Sequence, residues 1–328
     1  MKKILAIMTA ITLSVLLLTA CGGSSDQSNK GYTTNIIRVN QSGNYASSVQ
    51  QIIMLKGLLE PYLPEDVSVQ WTNLTNSTDS RDAVVSGRTD IVSIAVPTFI
   101  TAVENEMPLA LISATSGAPA YLYSNNSEIT KLEDIADSTR ISIASKASAS
   151  IVAFFIRCKD TFGDASIYDS NIVTIPNEEA LATLATSREL DGALLTFPST
   201  IRADEIENLI LIEDLTPTIL AYNLTSYFAT NEEFYKNNPV LVEAFRKASR
   251  DAVNFINDQP LEAAILLAEL YGIEYSHVEK AIAICPPSLE VSNYDLIAEL
   301  MYESDMLPKE PMKFKYLPNY NDIPQKTE

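Results

Sequence analysis

The spacing of hydrophobic and polar residues predicts the same succession of elements twice along the chain. Short β-rich runs at 36–40 and 140–144 each lead, through small polar residues, into a stretch with the apolar spacing of a helix. This spacing predicts helices at 46–59, 80–86, 148–162 and 178–187 and further strands at 67–74, 91–95, 171–175 and 192–196. Strand, helix, strand, helix, strand, found twice, predicts two α/β lobes with parallel sheets.

Residue identities repeat together with these elements. The recurring residues are Ser86, Asp90 and Pro97, which return as Ser187, Asp191 and Pro198, each 101 positions later. Arg38, at the first strand of the first unit, recurs as Arg140 at the first strand of the second. The repeat indicates that a whole unit is duplicated. A single doubly wound domain with an accidental match is the alternative that these residues leave open.

From about residue 230 the pattern changes to that of helices with clear ends. Asn238 precedes a first-turn proline at Pro239, Pro260 begins a further helix, and Gly272 ends it. Four prolines lie close to the C-terminus, so we expect 308–328 to form an extended tail.

Two crossings between the lobes complete the predicted architecture. The chain would leave the first lobe near 117–123, and we interpret the β-rich run 219–224 as its return. Two antiparallel crossing strands would form a hinge, and a hinge between similar lobes creates one deep cleft. This interpretation assigns residues 36–118 and 219–307 to lobe 1 and residues 119–218 to lobe 2.

The first 21 residues have the layout of an export signal. Lys2 and Lys3 precede an apolar run at 4–18, which is too short and too interrupted by hydroxyl residues for a transmembrane helix of about 20 apolar residues. The sequence LTAC, which ends at Cys21, resembles the lipobox of bacterial lipoproteins. The resemblance implies that Cys21 carries a diacylglycerol with chains such as palmitate and anchors the protein to the extracytoplasmic face of the cell membrane. We expect 22–35 to be a flexible linker.

Composition narrows the classes of function. The chain has 23 basic and 42 acidic residues and a formal net charge of -19, with no basic cluster, which disfavours nucleic acid as a partner. The single histidine, His277, and the absence of a glycine-rich nucleotide fingerprint give no support to catalysis, to a metal site or to a cofactor. Cys158 and Cys285 would be two separate buried thiols or one disulfide; the sequence leaves both readings open.

Four segments carry a resemblance to a known family. They are SGRTDI at 86–91, LEDI at 132–135, EALATL at 179–184 and NPVLVEAF at 238–245. Together they resemble the substrate-binding components of ABC importers for aliphatic sulfonates, taurine, nitrate and thiamine-pyrimidine precursors. The resemblance implies a two-lobed periplasmic-binding-protein (type II, venus-flytrap) fold with C-terminal helices. It also implies a monomer that is not an enzyme and that delivers a small molecule to ABC permease subunits.

In such a fold the ligand lies beyond the carboxyl ends of the strands, so the loops there hold the candidate binding residues. In lobe 1 and the crossings these are Gln41, Ser42, Asn44, Tyr45, Asn76, Thr98, Ser116 and Tyr222. In lobe 2 they are Ser145, Lys146, Ser148, Phe197 and Ser199. Serine, asparagine and glycine also favour turns and caps without any ligand, and Ser116 and Tyr222 could serve packing alone.

The chemistry of these loops favours a small polar or weakly charged ligand. No arginine falls in them, so a fully charged anion would depend on Lys146, Arg81 and backbone N–H groups. Phe197 lies where family members often have an acidic residue before a proline, which disfavours an amine-bearing ligand. Two other roles stay open: a surface receptor that presents its ligand to a sensor protein, and an enzyme related to the pyrimidine-synthesising enzymes of thiamine biosynthesis.

Overall fold

A computed structural model describes residues 30–42, 45–74 and 76–325. The predicted export signal, Cys21 and the first part of the predicted linker lie outside the described residues. No helix within the described ranges is both long and apolar enough to cross a bilayer.

The strands form two five-stranded sheets of the same design. Sheet 1 has the order β2-β1-β3-β10-β4 and contains β1 Ile36–Gln41, β2 Ser68–Asn73, β3 Ile91–Ala95, β4 Leu109–Ala114 and β10 Ser226–Asn231. Sheet 2 has the order β7-β6-β8-β5-β9 and contains β5 Ala120–Ser124, β6 Ile141–Ile143, β7 Ile172–Thr174, β8 Gly192–Thr196 and β9 Ile210–Asp214. The two-lobed α/β fold expected from the sequence is confirmed.

Each sheet receives one strand directly from a crossing between the lobes. The chain leaves sheet 1 after β4 and enters sheet 2 as β5, which runs antiparallel to β8. It leaves sheet 2 after β9 and returns as β10, which runs antiparallel to β3. The sheets are therefore mixed rather than purely parallel, because the crossing strands run antiparallel to their neighbours. These strands insert at equivalent places in the two lobes.

The helices cover the faces of both sheets. Those of the two repeated units are α1 Ser48–Lys56, α2 Ser77–Val85, α3 Val96–Glu104, α4 Ala149–Phe162, α5 Asn177–Thr186, α6 Ser199–Asp204 and α7 Thr216–Tyr222. The C-terminal helices are α8 Glu232–Asn237, α9 Pro239–Asp258, α10 Pro260–Tyr271, α11 Tyr275–Ile284 and α12 Tyr294–Glu303. In lobe 1, α1 packs against both α9 and α10, which explains the apolar stripes of these helices.

The repeated aspartates perform the same structural task in both lobes. Asp90 accepts a hydrogen bond from the backbone N–H of Arg38 at 2.7 Å, and Asp191 accepts one from the backbone N–H of Arg140 at 2.9 Å. Each aspartate thereby ties the start of the third strand of its unit to the first strand. The repeated aspartate therefore marks a support of the sheet that both lobes share, rather than a binding group.

We expect Asp90→Ala to lower the free energy of unfolding by about 1.5–3 kcal/mol, the usual contribution of a hydrogen bond to a charged group. Asp90→Asn retains an oxygen acceptor for the Arg38 N–H. Burial raises the pKa of Asp90, because it disfavours the charged form of the carboxyl group. The asparagine variant should therefore lose less than about 1 kcal/mol in urea denaturation. Equal losses in the two variants would contradict this role.

Three expectations about the chain need correction. The predicted return strand at 219–224 is wrong, because Pro217 occupies the first turn of α7 and this helix packs on α4 of lobe 2. The end of the predicted linker is held on lobe 1, where Tyr32 donates to Asp66 at 2.6 Å. The predicted extended tail contains two short 3-10 turns, at Phe314–Tyr316 and Tyr320–Asp322, and buries Leu317 and Ile323.

Candidate ligand-binding cleft

The loops at the carboxyl ends of the strands bring the two lobes into contact. The hydroxyl of Thr98, in the first turn of α3, donates to the backbone oxygen of Ala147 in lobe 2 at 3.0 Å. The ring of Phe197, which follows β8, packs edge-on against Tyr45, which follows β1, with centroids 5.5 Å apart. The cleft between the lobes is therefore closed along these contacts.

A small cavity on the lobe 1 side of this cleft is lined almost entirely by hydroxyl and amide groups. We call it the hydroxyl pocket; it has a volume of about 40 Å³ and is lined by Ser42, Ala46, Ser47, Leu74, Asn76, Ser77, Ser80, Ser93 and Ser226. The sequence predicted Ser42 and Asn76 as binding residues, and the structure places them together here. None of the lining side chains carries a charge.

Some hydroxyl groups of this pocket already form hydrogen bonds within the protein, and others do not. Ser42 and Ser47 share a hydrogen bond of 2.6 Å, and Ser80 accepts from the amide of Asn40 at 3.3 Å. The hydroxyls of Ser93 and Ser226 have no hydrogen-bond partner within the described ranges. These two groups are available to a ligand or to water.

Several buried polar atoms close to the cleft also lack a partner among the described residues. Both amide atoms of Gln50 are buried without a hydrogen bond, and so are Oε1 of Gln41 and the hydroxyls of Thr115 and Thr225. Gln50 lies in the first turn of α1, three positions after Ser47, which precedes the helix. Buried polar atoms are rarely left unpaired, which makes these atoms candidates for contacts with a ligand or water.

Phe197 lies within an aromatic group that spans the two lobes. We call Tyr45, Phe197 and Tyr271 the aromatic latch: Phe197 packs edge-on against Tyr45 and, with centroids 6.3 Å apart, against Tyr271 at the end of α10. The Tyr45 hydroxyl donates to the backbone oxygen of Cys285 at 3.1 Å, and the Tyr271 hydroxyl donates to Gln51 at 2.5 Å. Phe197 thus belongs to lobe 2 by sequence but is buried in the hydrophobic core of lobe 1.

Other predicted binding residues are engaged with neighbouring groups inside the protein. Ser116 shares a 2.7 Å hydrogen bond with Ser48, the first residue of α1. Ser148 caps α4 by accepting from the N–H of Ile151, and Ser145 accepts from the N–H of Ala147. The cap occupies one of the backbone N–H groups that the sequence suggested for an anion.

The remaining predicted residues lie away from the hydroxyl pocket or outside the described residues. Lys146 is exposed and pairs with Asp169 at 3.2 Å, and Ser199 is buried and donates to Glu178 at 2.7 Å. Tyr222 is half-buried on α7 against the core. Asn44 lies outside the described residues.

The two described cysteines are unpaired and buried in different cores. Cys158, on α4, belongs to the core that runs through the hinge, and Cys285, after α11, belongs to the core of lobe 1. Burial raises the pKa of each thiol to about 12, so both are protonated at neutral pH. A protonated, buried thiol is a poor nucleophile. Among the described residues, no group of three or more His, Cys, Asp or Glu could hold a metal ion.

The family comparison agrees with the resemblance found in the sequence. The family model described as NMT1/THI5 like matches residues 62–263, which is more than half of the chain. The chain belongs to this family. The expected relationship to substrate-binding proteins of ABC importers is thereby confirmed, whereas no curated protein sequence matches the chain.

Several solved structures of binding proteins share this fold at low sequence identity. The periplasmic aliphatic sulphonate binding protein SsuA from Escherichia coli is 17% identical, with a TM-score of 0.69 over 90% of this chain and 94% of that one. The alkanesulfonate-binding protein SsuA from Xanthomonas axonopodis pv. citri, bound to MOPS, is 16% identical, with a TM-score of 0.71 over 85% and 96%. A ligand-binding component of an ABC-type import system from Staphylococcus aureus is 13% identical, with a TM-score of 0.70 over 89% and 97%.

Proposed function

We propose that this protein is a lipid-anchored, extracytoplasmic solute-binding protein that captures a small polar or weakly charged ligand and delivers it to an ABC importer. Family membership supports a solute-binding role, and the closed contact between two lobes supports capture by hinge motion. We place the ligand in the interlobe cleft, with the hydroxyl pocket as its lobe 1 wall.

The proposal that the ligand is polar or weakly charged rests on the uncharged lining of the hydroxyl pocket. Arginine and lysine are the side chains that bind sulfonate-like anions strongly, and none lines this pocket. Serine and asparagine instead offer donors and acceptors to hydroxyl, carbonyl and amide groups. The ligand should therefore differ in charge from the sulfonates named for the two SsuA structures.

Ligand entry requires the lobes to separate. The hydroxyl pocket, at about 40 Å³, has room for a water molecule or two, whereas drug-sized ligands occupy several hundred Å³. Opening of the aromatic latch and of the contact between Thr98 and Ala147 would widen the cleft from the lobe 2 side. Closure around the ligand would then restore these contacts and present the closed form to the permease.

The proposed anchor is compatible with where the described chain begins. Lys30 pairs with Asp66, and the N–H of Thr33 donates to Asn238 at 2.7 Å, so the chain approaches Cys21 from the surface of lobe 1. Nine residues in an extended chain span at most about 30 Å. A lipid on Cys21 would therefore hold lobe 1 close to the membrane and near a permease.

A thermal-shift screen tests the proposed ligand class. We expect one or more uncharged polar compounds, from a panel of short amides, pyrimidines and riboflavin-like rings, to raise the melting temperature more than aliphatic sulfonates do. Ser93→Val removes a free hydroxyl and adds volume inside the pocket, so it should weaken binding of that compound at least about tenfold. Valine is well tolerated in strands, which keeps β3 intact.

The matched control is Ser127→Val at an exposed position of lobe 2, which should leave affinity unchanged. A screen in which only sulfonates stabilise the protein would contradict the proposed ligand class. Stabilisation by an uncharged compound that Ser93→Val does not affect would contradict the proposed place of binding.

A further inference from the structure

A second and larger cavity lies between the lobes, beside the aromatic latch. We call it the lateral cavity; it has a volume of about 260 Å³, and Phe197 of the latch forms part of its wall. Lobe 2 contributes α6 and the start of β5, and lobe 1 contributes α11. Phe197 packs on Tyr45, whose neighbours Ser42, Ala46 and Ser47 line the hydroxyl pocket, so the latch separates the two cavities.

Opposite charges line the two sides of the lateral cavity. Asp204 and Glu205, at the end of α6, provide the lobe 2 side, and His277 and Lys280, on α11, provide the lobe 1 side. Within the described part of the chain, none of the ion pairs joins these two sides, and neither Glu205 nor Lys280 has any ion-pair partner. Asp204 accepts one hydrogen bond, from the Tyr123 hydroxyl at 2.7 Å, and retains a second carboxylate oxygen.

On the basic side of the lateral cavity, the imidazole of His277 has a nitrogen atom without a hydrogen-bond partner among the described residues. Its Nδ1 atom is buried and makes no hydrogen bond to any described residue. Burying a polar atom without a partner costs free energy, and a ligand or a water molecule in the cavity would relieve that cost.

Apolar side chains form part of the inner surface of the lateral cavity. Phe197 and Ala281 are buried there, and Ile201 and Ile284 lie further out. Asp204, Glu205 and Lys280 are exposed, so the charges surround the mouth. A cavity of about 150 Å³ is enough for benzene, and one of about 260 Å³ therefore fits a molecule of roughly ten non-hydrogen atoms.

From this arrangement we infer that the lateral cavity is a second ligand site, for a small zwitterion with an apolar side chain such as an aliphatic α-amino acid. The ammonium group would meet Asp204 and Glu205, the carboxylate would meet Lys280 and His277, and the side chain would lie against Phe197 and Ile284. A zwitterion matches both signs of charge at once, whereas a simple anion or cation pairs with one wall and is repelled by the other. Since each lobe supplies one charge, the bound molecule bridges the lobes.

Titration calorimetry with three probes of similar shape tests this site. L-leucine carries both charges, 4-methylpentanoate lacks the ammonium group, and 3-methylbutylamine lacks the carboxylate. We expect L-leucine to bind and each singly charged probe to bind at least about tenfold more weakly, because each loses one set of charge-assisted hydrogen bonds.

Two charge-neutralising variants should each weaken L-leucine binding at least about tenfold. Lys280→Gln should not weaken the binding of 3-methylbutylamine, and Asp204→Asn combined with Glu205→Gln should not weaken that of 4-methylpentanoate, because each variant removes only charges that repel the probe. The altered side chains are exposed, so circular dichroism should show an intact fold. Lys309→Gln, at an exposed position of the tail, is the matched control and should bind L-leucine as the wild type does.

Failure of L-leucine to bind the wild type, or binding that neither variant changes, would overturn the inferred site. Loss of L-leucine binding in Ser93→Val would also overturn it, because the amino acid would then occupy the hydroxyl pocket. Absence of L-leucine binding, or binding that neither variant changes, would not alter the stabilisation by uncharged compounds in the thermal-shift screen. The inferred site can therefore be refuted without refuting the proposed function.

Discussion

Replacing Phe228 with alanine is expected to lower the free energy of unfolding by about 3–5 kcal/mol, the range for truncating a buried aromatic residue. Phe228 lies in β10, the strand that returns from lobe 2 into the interior of sheet 1, and its side chain is completely buried. Its ring packs edge-on against Phe245 of α9, with centroids 5.0 Å apart. The substitution would leave a cavity between the sheet and the C-terminal helices.

Urea denaturation followed by far-UV circular dichroism measures this loss. Phe228→Leu keeps most of the volume and should cost clearly less than the alanine variant. Tyr316→Ala, at a side chain that is 64% exposed, should change stability by less than about 0.5 kcal/mol. A loss in Phe228→Ala as small as that of Tyr316→Ala would contradict the packing described for sheet 1.

The second large effect concerns closure rather than folding. Phe197→Ala removes a buried ring that joins the lobes, and burial of a phenylalanine together with its aromatic contacts contributes about 2–4 kcal/mol. Because this contact forms between the lobes, we expect its loss to populate the open form. The radius of gyration from small-angle X-ray scattering should rise while the far-UV spectrum stays unchanged.

Phe197→Leu is the matched variant, since it keeps an apolar side chain in the latch and should remain mostly closed. The open population should also weaken the apparent affinity for any ligand of the cleft by about tenfold or more, because closure must then be driven by the ligand. An unchanged radius of gyration, with a fall in unfolding free energy as large as that of Phe228→Ala, would show that Phe197 serves only the core.

Much of the fold follows from local patterns in the sequence. The repeated aspartates, Asp90 and Asp191, hold equivalent strands together through backbone N–H groups, so the duplication of residues reflects a duplication of structure. The alternation of apolar and polar residues in strands, and the residues that begin and end helices, are local features. They can therefore be recognised directly in the sequence. The two-lobed architecture was therefore predictable, and the insertion of β5 and β10 at equivalent places was not.

The error at 219–224 shows where local patterns fail. A short apolar run fits a strand and a buried helix equally well, and only packing distinguishes them. Here α7 packs on α4 of lobe 2, and the strand begins later, at Ser226. Pro217, in the first turn of α7, was the local signal for a helix.

The candidate site was predictable at the level of loops but not of individual side chains. Ser42 and Asn76 could be proposed because they follow strands, whereas Ser93 lies inside one and was missed. A serine within the otherwise apolar run of β3 was the available signal. The position of Phe197 in the core of lobe 1, and the pairing of Lys146 with Asp169, depend on contacts between distant segments that no local pattern encodes.

Hydrogen–deuterium exchange tests most directly whether the interlobe cleft binds the solute. The compound of the uncharged panel that raises the melting temperature most would be added to the wild-type protein, and exchange would be followed by peptide. We predict slower exchange in segments 45–48 and 93–98 of lobe 1 together with 145–149 and 196–199 of lobe 2, because closure shields both walls. Unchanged exchange in these segments, or protection confined to 277–284 of α11, would contradict binding in the cleft.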